Sequence, residues 1–206
     1  MQWIAMLTML IDHIGVVYFP EQLWLRMIGR IAFPLYIYLM VLGYKRTRNY
    51  RNYVIRVALL AAVSQPMYQW AFDTTRLNVI ITLLVGLLLF KLLDTAAKKP
   101  MIQGASVIIT LLVVEWFAFD YGAYGIALML IYRYASQEKL MLYHSLLEFL
   151  YLLVWKIQIF SLIVTLCISY KPQWLNKVDH IKVPRILWRS FYPLHLCLIA
   201  SFRYIF

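Results

Sequence analysis

Apolar residues in this chain fall into long runs separated by short polar breaks. About 20 mostly apolar residues cover roughly 30 Å of hydrocarbon at about 1.5 Å per residue. By that measure nine segments are candidate helices: 3–19, 24–44, 54–72, 78–93, 102–119, 121–134, 140–155, 157–170 and 187–206. The sixth and eighth are short, as re-entrant or tilted segments are. Connections such as Asp73-Thr74-Thr75-Arg76 and Ser136-Gln137-Glu138-Lys139 are brief and polar. The pattern predicts an all-α, polytopic transmembrane bundle of about nine helices.

Composition agrees with that prediction. Of the 206 residues 64% are hydrophobic and 14% charged, with a mean hydropathy of +0.72. A soluble domain carries about a quarter charged residues, so the excess apolar surface is expected to face lipid. No linker and no repeat divides the chain, so residues 1–206 read as one integral membrane domain. Cys167 and Cys197 stand inside apolar runs and form neither a disulfide framework nor a CxxC metal pattern. Without a basic leader or a small-residue cleavage site, the first apolar stretch reads as a retained span.

The charge distribution sets the orientation. The net charge is +11, and cytoplasmic loops collect Lys and Arg. With nine helices and a cytoplasmic N-terminus, one face receives Lys45, Arg46, Arg48, Arg51 and Arg56. It also receives Lys91, Lys98, Lys99, Arg133, Lys139, Lys171, Lys177, Lys182, Arg185 and Arg189. Glu21, Asp73 and Asp120 fall on or near the other face. Topology thus accounts for the basic balance, and no nucleic-acid partner is expected. The expected location is a plasma membrane, multi-pass, with lipid as the surrounding partner.

Ionisable side chains inside the spans are costly, about 2.5–3.5 kcal/mol at a helix centre on insertion scales. Asp12 and His13 lie deep in the first span, with Thr8 one turn before Asp12. They are read either as an ion pair or packing hydrogen bond, or as functional groups. Arg26 and Arg30 share a face of the second span at i,i+4 spacing. Pro34 withholds the N–H that the Arg30 carbonyl would accept, and Gly29 loosens the same turn, so the helix is expected to bend beside Arg30. Arg30 either neutralises Asp12 or binds substrate. His195, two residues after Pro193, reaches a similar depth from the last span. His144 and Glu148, also i,i+4, either satisfy each other or act. Asn78 with Thr82, and Ser64 with Gln65, fit interhelical hydrogen bonds. His180 beside Asp179 reads as a solvated loop residue.

A carboxylate, two imidazoles and guanidinium groups near one depth suit proton-coupled transport or group transfer. In transfer a histidine takes a proton from an amine or hydroxyl, a carboxylate orients it, and an arginine steadies negative charge. Metal binding ranks low, because the ligands lack a recognisable spacing. No metal is expected. The residues alone leave transport and transfer open.

The wording of the motifs goes further. Trp3-Ile4-Ala5-Met6-Leu7-Thr8-Met9-Leu10-Ile11-Asp12-His13-Ile14-Gly15 resembles the opening signature of the TraX family. Leu25-Arg26-Met27-Ile28-Gly29-Arg30-Ile31-Ala32-Phe33-Pro34 and Gly43-Tyr44-Lys45-Arg46-Thr47-Arg48 resemble its second-helix motif and following loop. Ser64-Gln65-Pro66, Leu77-Asn78-Val79 with Thr82 and Gly86, and Phe191-Tyr192-Pro193-Leu194-His195-Leu196 match further positions in order. The likeness is strong over about 3–90 and 188–200, while 100–185 reads as generic membrane sequence.

The family takes its name from a conjugation protein that N-acetylates F-type pilin. The resemblance implies a bacterial inner-membrane acyltransferase with acetyl-CoA as acyl donor. Its acceptor would be an amine or hydroxyl, on pilin, an envelope glycan or a small molecule. It makes His13 or His195 the base and Asp12 its orienter. Arg26, Arg30, Asn78 and Tyr192 become substrate-binding residues, and Lys45, Arg46 and Arg48 meet the CoA phosphates. A proton-coupled transporter and a non-catalytic pilus or envelope assembly factor are the competing readings.

Overall fold

The computed structural model describes residues 1–170 and 183–205, and all regular structure among them is helical. The predicted loop residues Lys171, Lys177, Asp179, His180 and Lys182 lie outside the described residues.

The helices are α1 (Gln2–Tyr18), α2 (Leu23–Gly29), α3 (Ala32–Arg46), α4 (Tyr50–Phe72), α5 (Val79–Thr95), α6 (Pro100–Trp116), α7 (Gly122–Tyr134), α8 (Gln137–Tyr151), α9 (Leu162–Tyr170) and α10 (Arg185–Ile205). A 3₁₀ helix, Lys156–Ser161, leads directly into α9. With α2–α3 and the 3₁₀–α9 run each taken as one segment, the described residues form nine helical segments at the positions predicted. The interruption at Arg30–Ile31 falls where Pro34 withholds its hydrogen bond.

Local chemistry sets several ends. Asn49 caps α4 by accepting from the Asn52 N–H at 2.9 Å, and Asp73 closes α4 in the left-handed region at φ 49°. Asn78 caps α5, and Pro100 sits in the first turn of α6, where its missing N–H costs nothing.

Central α3 packs against α1, α5, α7 and α9. One core, with Phe33, Ile37, Leu87, Phe90 and Leu128, fills the space between these helices. A second core, with Met9, Ala61, Tyr68, Leu196 and Ile199, forms where α10 lies along α4 and α1. Peripheral α6 leans on α5 and α7 and buries only Val114.

Polarity is inverted relative to a water-soluble bundle. Asp12, Asn78, His144, Glu148, Gln158 and His195 are buried, while Met101, Leu112, Trp116 and Leu153 are 86%, 66%, 84% and 90% exposed. Among the described residues one helix, Leu23–Arg46, is long and apolar enough to cross a bilayer by itself, with 24 residues and a mean hydropathy of 1.5. Gln2–Tyr18, Pro100–Trp116 and Lys156–Tyr170 are apolar but shorter.

Candidate functional site

The first, second and last predicted spans meet at their ionisable residues. Arg30 Nη2 donates to both carboxylate oxygens of Asp12, each at 2.7 Å, and Arg26 Nε stands 3.4 Å from Asp12 Oδ1. Arg30 Nη1 donates to Gln158 Oε1 at 3.2 Å and its Nε to the Arg26 carbonyl at 3.3 Å, so its donors are largely spent. Gly29 makes this approach possible. A Cβ there would overlap the Asp12 carboxylate, so only glycine lets α1 and α2 close to this distance.

The imidazoles form a separate pair. His13 Nδ1 and His195 Nε2 lie 2.8 Å apart, and His195 Nδ1 lies 2.6 Å from the Phe191 carbonyl. A carbonyl can only accept, so His195 carries its proton on Nδ1. In a neutral ring His195 Nε2 is then an acceptor, and His13 must donate from Nδ1. The tautomers follow from one backbone atom: His13 Nε2 is left with a bare lone pair and no hydrogen-bond partner among the described residues. Asp12 hydrogen-bonds neither histidine, and the orienting acceptor is the Phe191 carbonyl.

Asp12, His13, Arg26 and Arg30 line a cavity of about 1220 Å³. Its wall includes Gln2, Gly43 and Tyr53 toward the end bearing Lys45, Arg46 and Arg48, and Thr74, Arg76 and Lys156 toward the opposite end. The cavity therefore follows the long axis of the bundle. Tyr192 also lines it, and its buried hydroxyl has no hydrogen-bond partner. Lys45, Arg46 and Arg48 are exposed beyond the rim and do not line it.

Asn78 lies elsewhere. Its Oδ1 accepts from the Ile80 and Ile81 N–H groups, and its Nδ2 donates to the Ala61 carbonyl and Gln65 Oε1. It is fully buried and away from the cavity wall, so capping and strapping account for all its polar atoms. Gln65 also receives the Asn78 N–H and donates to the Arg76 carbonyl, which joins two of the sequence motifs.

Two sets of residues went unread in the sequence: the partners around the His144–Glu148 pair, and the loop between α6 and α7. His144 and Glu148 pair at 3.1 Å as their spacing suggested, but within a larger network. Glu148 Oε1 accepts from Tyr124 at 2.6 Å and Ser161 at 2.7 Å, while His144 Nδ1 meets Thr165 at 2.5 Å. Gln158 Nε2 donates to the Tyr124 hydroxyl at 3.1 Å, linking this network to Arg30. Gln158, Ser161 and Thr165 recur at i, i+3, i+7 in an apolar run, a helical polar stripe that the sequence does display.

The second set is the loop between α6 and α7. A single parallel bridge joins Leu77 to Phe119, the Asp120 N–H donates to the Leu77 carbonyl at 2.8 Å, and Thr82 Oγ1 donates to the Asp120 carbonyl at 2.6 Å. Tyr121 follows at φ 62°, a left-handed conformation that a non-glycine residue holds only when its surroundings enforce it. Phe33 enforces it here, stacked on the Tyr121 ring at 3.7 Å. Both Asp120 and Tyr121 face the cavity. Burial pushes the Asp120 carboxyl up to about 6, against the opposing pull of Arg30 and Arg76.

No three His, Cys, Asp or Glu side chains among the described residues are grouped to hold a metal ion. The molecule is thus an all-helical bundle, apolar outside, with a carboxylate–guanidinium cluster and one imidazole of a polarised pair, His13, facing a long cavity. The sequence model of the TraX protein family matches residues 1–203, and the chain belongs to that family. It is similar to a probable fimbrial assembly protein, FimC of serogroup H1, from Dichelobacter nodosus, at 25% identity over 96% of this chain and 92% of the relative. It also resembles an uncharacterized protein of Rickettsia prowazekii (strain Madrid E), at 28% identity over 66% of this chain and 54% of that protein. No solved structure matches the chain.

Proposed function

We propose that this protein is a multi-pass acyltransferase of the bacterial inner membrane. It transfers acetyl from acetyl-CoA to an amine or hydroxyl acceptor in pilus or envelope maturation. The single observation that carries the reading is the unpartnered lone pair of His13 Nε2, directed by the Phe191–His195 relay and set beside Arg26 on one cavity wall. Membership of the TraX family supports it, and the fimbrial name of the Dichelobacter relative supports a pilus-related role. The exposed apolar face of α6 and the nine alternating segments support the multi-pass reading with a cytoplasmic N-terminus.

In this scheme Lys45, Arg46 and Arg48 attract the CoA phosphates at the basic end, and the pantetheine arm enters beside Gly43 and Tyr53. The cavity running along the bundle would give the thioester a path from the basic end to His13. The acceptor attacks the thioester carbonyl while its N–H or O–H proton passes to His13 Nε2. The terminal nitrogens of Arg26, which make no hydrogen bond within the described residues, steady the oxyanion. Collapse expels CoA thiolate, which takes the proton back from His13. Arg30 and Asp12 hold Arg26 and the α1–α2 contact in place.

Purified protein with radiolabelled acetyl-CoA tests the scheme: label should pass to an added amine or alcohol, and His13→Ala should stop it. Label transfer unchanged in His13→Ala would remove this histidine from the mechanism. A non-catalytic assembly role is the second reading, favoured by the name of the Dichelobacter relative. It requires that His13→Ala leave piliation intact.

A further inference from the structure

The cavity has a second charged feature that the transfer scheme does not use. Asp120 lines its wall toward the Arg76 end and has no cation within ion-pair distance among the described residues. One carboxylate oxygen accepts the neighbouring Tyr121 N–H at 3.1 Å. Arg30 and Arg76 pull on its charge through space but make no bond to it, and the Arg30 donors are committed largely to Asp12, Gln158 and the Arg26 carbonyl.

The position of Asp120 is enforced from both sides. Thr82 and the Leu77 carbonyl grip its backbone, and the Gln65–Asn78 strap fixes the start of the strand of chain that does so. Around it stand three tyrosines that line the same cavity, Tyr68, Tyr121 and Tyr192, each close enough to feel its charge. Tyr192 is 6% exposed, and its hydroxyl has no partner. The face of Tyr121 already attracts a cation, with the Arg30 guanidinium carbon 5.8 Å from its centroid.

A carboxylate with no cation in ion-pair distance among the described residues, the neighbouring rings of Tyr68 and Tyr192, and an unspent hydroxyl acceptor form one recognisable set. Aromatic faces attract cations through their quadrupole, and a carboxylate adds charge and a hydrogen-bond acceptor. At Asp120 itself a neutral alcohol would bring no charge to the carboxylate, whereas an ammonium would bring both a charge and N–H donors. We propose that Asp120, Tyr68, Tyr121 and Tyr192 form a binding subsite for an organic ammonium group. The subsite holds its ligand, and no bond is made or broken there. It goes beyond the transfer reading and needs no acyl donor.

Calorimetric titration of the purified full chain with n-hexylammonium chloride and with n-hexanol at pH 7.5 tests the proposal. The two probes share an apolar tail and differ in the head. The ammonium should bind at least about tenfold tighter than the alcohol, and Asp120→Asn should erase that difference. The asparagine keeps an oxygen for the Tyr121 N–H, so its fold is expected to persist. Equal binding of the two probes to the natural chain, or unchanged ammonium affinity in Asp120→Asn, overturns the proposal.

Should the variant fail to fold, a pH series on the natural chain decides. The charged and titratable groups that act on Asp120 are Arg26, Arg30, Arg76, Asp12, Tyr68, Tyr121 and Tyr192. Ammonium affinity should fall about tenfold between pH 8 and 5 as Asp120 takes up a proton, while hexanol affinity holds. A flat ammonium profile overturns the proposal. Ammonium binding without any acetyl transfer would remove the transfer reading and leave this one standing.

Discussion

Two histidine sites lie within the same bundle, and they differ in what they leave unspent. Around His144 every ring nitrogen, the Glu148 oxygen and the Tyr124, Ser161 and Thr165 hydroxyls answer one another in a closed, buried network. Around His13 the relay runs one way, from the Phe191 carbonyl through His195 to a His13 lone pair to which nothing in the described chain donates. A polar cluster in an apolar bundle that satisfies itself is scaffold. One that presents an unmatched acceptor to a cavity has something left for a ligand. Gln158 joins the two regions, so they can be separated only by substitutions that touch one at a time.

The largest expected loss of stability comes from breaking the ion pair on the cavity side. Arg30→Met leaves Asp12 buried with only the more distant Arg26, and removing one partner of such a pair costs about 3–5 kcal/mol. Unfolding in detergent should show it, and Asp12→Leu added to Arg30→Met should restore much of the loss. If the double variant is no better than the single, the pair is not what the arginine stabilises.

In the closed network Tyr124→Phe removes one donor to Glu148 and the acceptor of Gln158, for a loss of about 1–3 kcal/mol. Acetyl turnover in that variant should stay within about threefold of the natural chain, because the change lies outside the relay. A collapse of turnover at unchanged stability would erase the distinction between the regions.

Asp120 gives the smallest effect and a sign. Its carboxyl sits at about 6 in the fold against 3.8 when free, so the folded state holds the proton more tightly. Below about pH 4 both states are protonated and burial of the charge costs nothing. Stability should then fall as pH rises from about 4 to 6, by on the order of 1–3 kcal/mol. Asp120→Asn should flatten that slope and be the more stable protein at pH 7. A slope that survives the substitution assigns it to another group.

Much of the bundle was legible because the signals are local. Run length placed the nine segments, and Pro34 foretold the break at Arg30–Ile31. The meeting of His13 with His195, 182 residues apart, followed from counting depth along two helices. Asn78 makes the interhelical hydrogen bonds expected of it, to Ala61 and Gln65, and local reading missed only its second job: an Asn immediately before Val79-Ile80 is an N-cap signal, and its side chain does cap α5. The orienting group for the imidazoles was sought among carboxylates, although a backbone carbonyl one turn before His195 supplies it. Asp120 was legible only as an acidic residue near the far face, and the place of Asp120 and Tyr121 on the cavity wall could not be read. Their placement depends on Leu77, Thr82 and Phe33, which lie 38 to 88 positions away and have no pattern linking them to that loop.

The most direct test is the rate of acyl transfer from acetyl-CoA in purified natural chain, His13→Ala and Glu148→Gln, each checked for folding by its unfolding profile. The account predicts a fall of about 100- to 10,000-fold for the His13 variant, the range of a lost general base, with only a modest change for Glu148→Gln. A His13 variant that turns over like the natural chain, or a Glu148 variant that fails as badly while still folded, would contradict it.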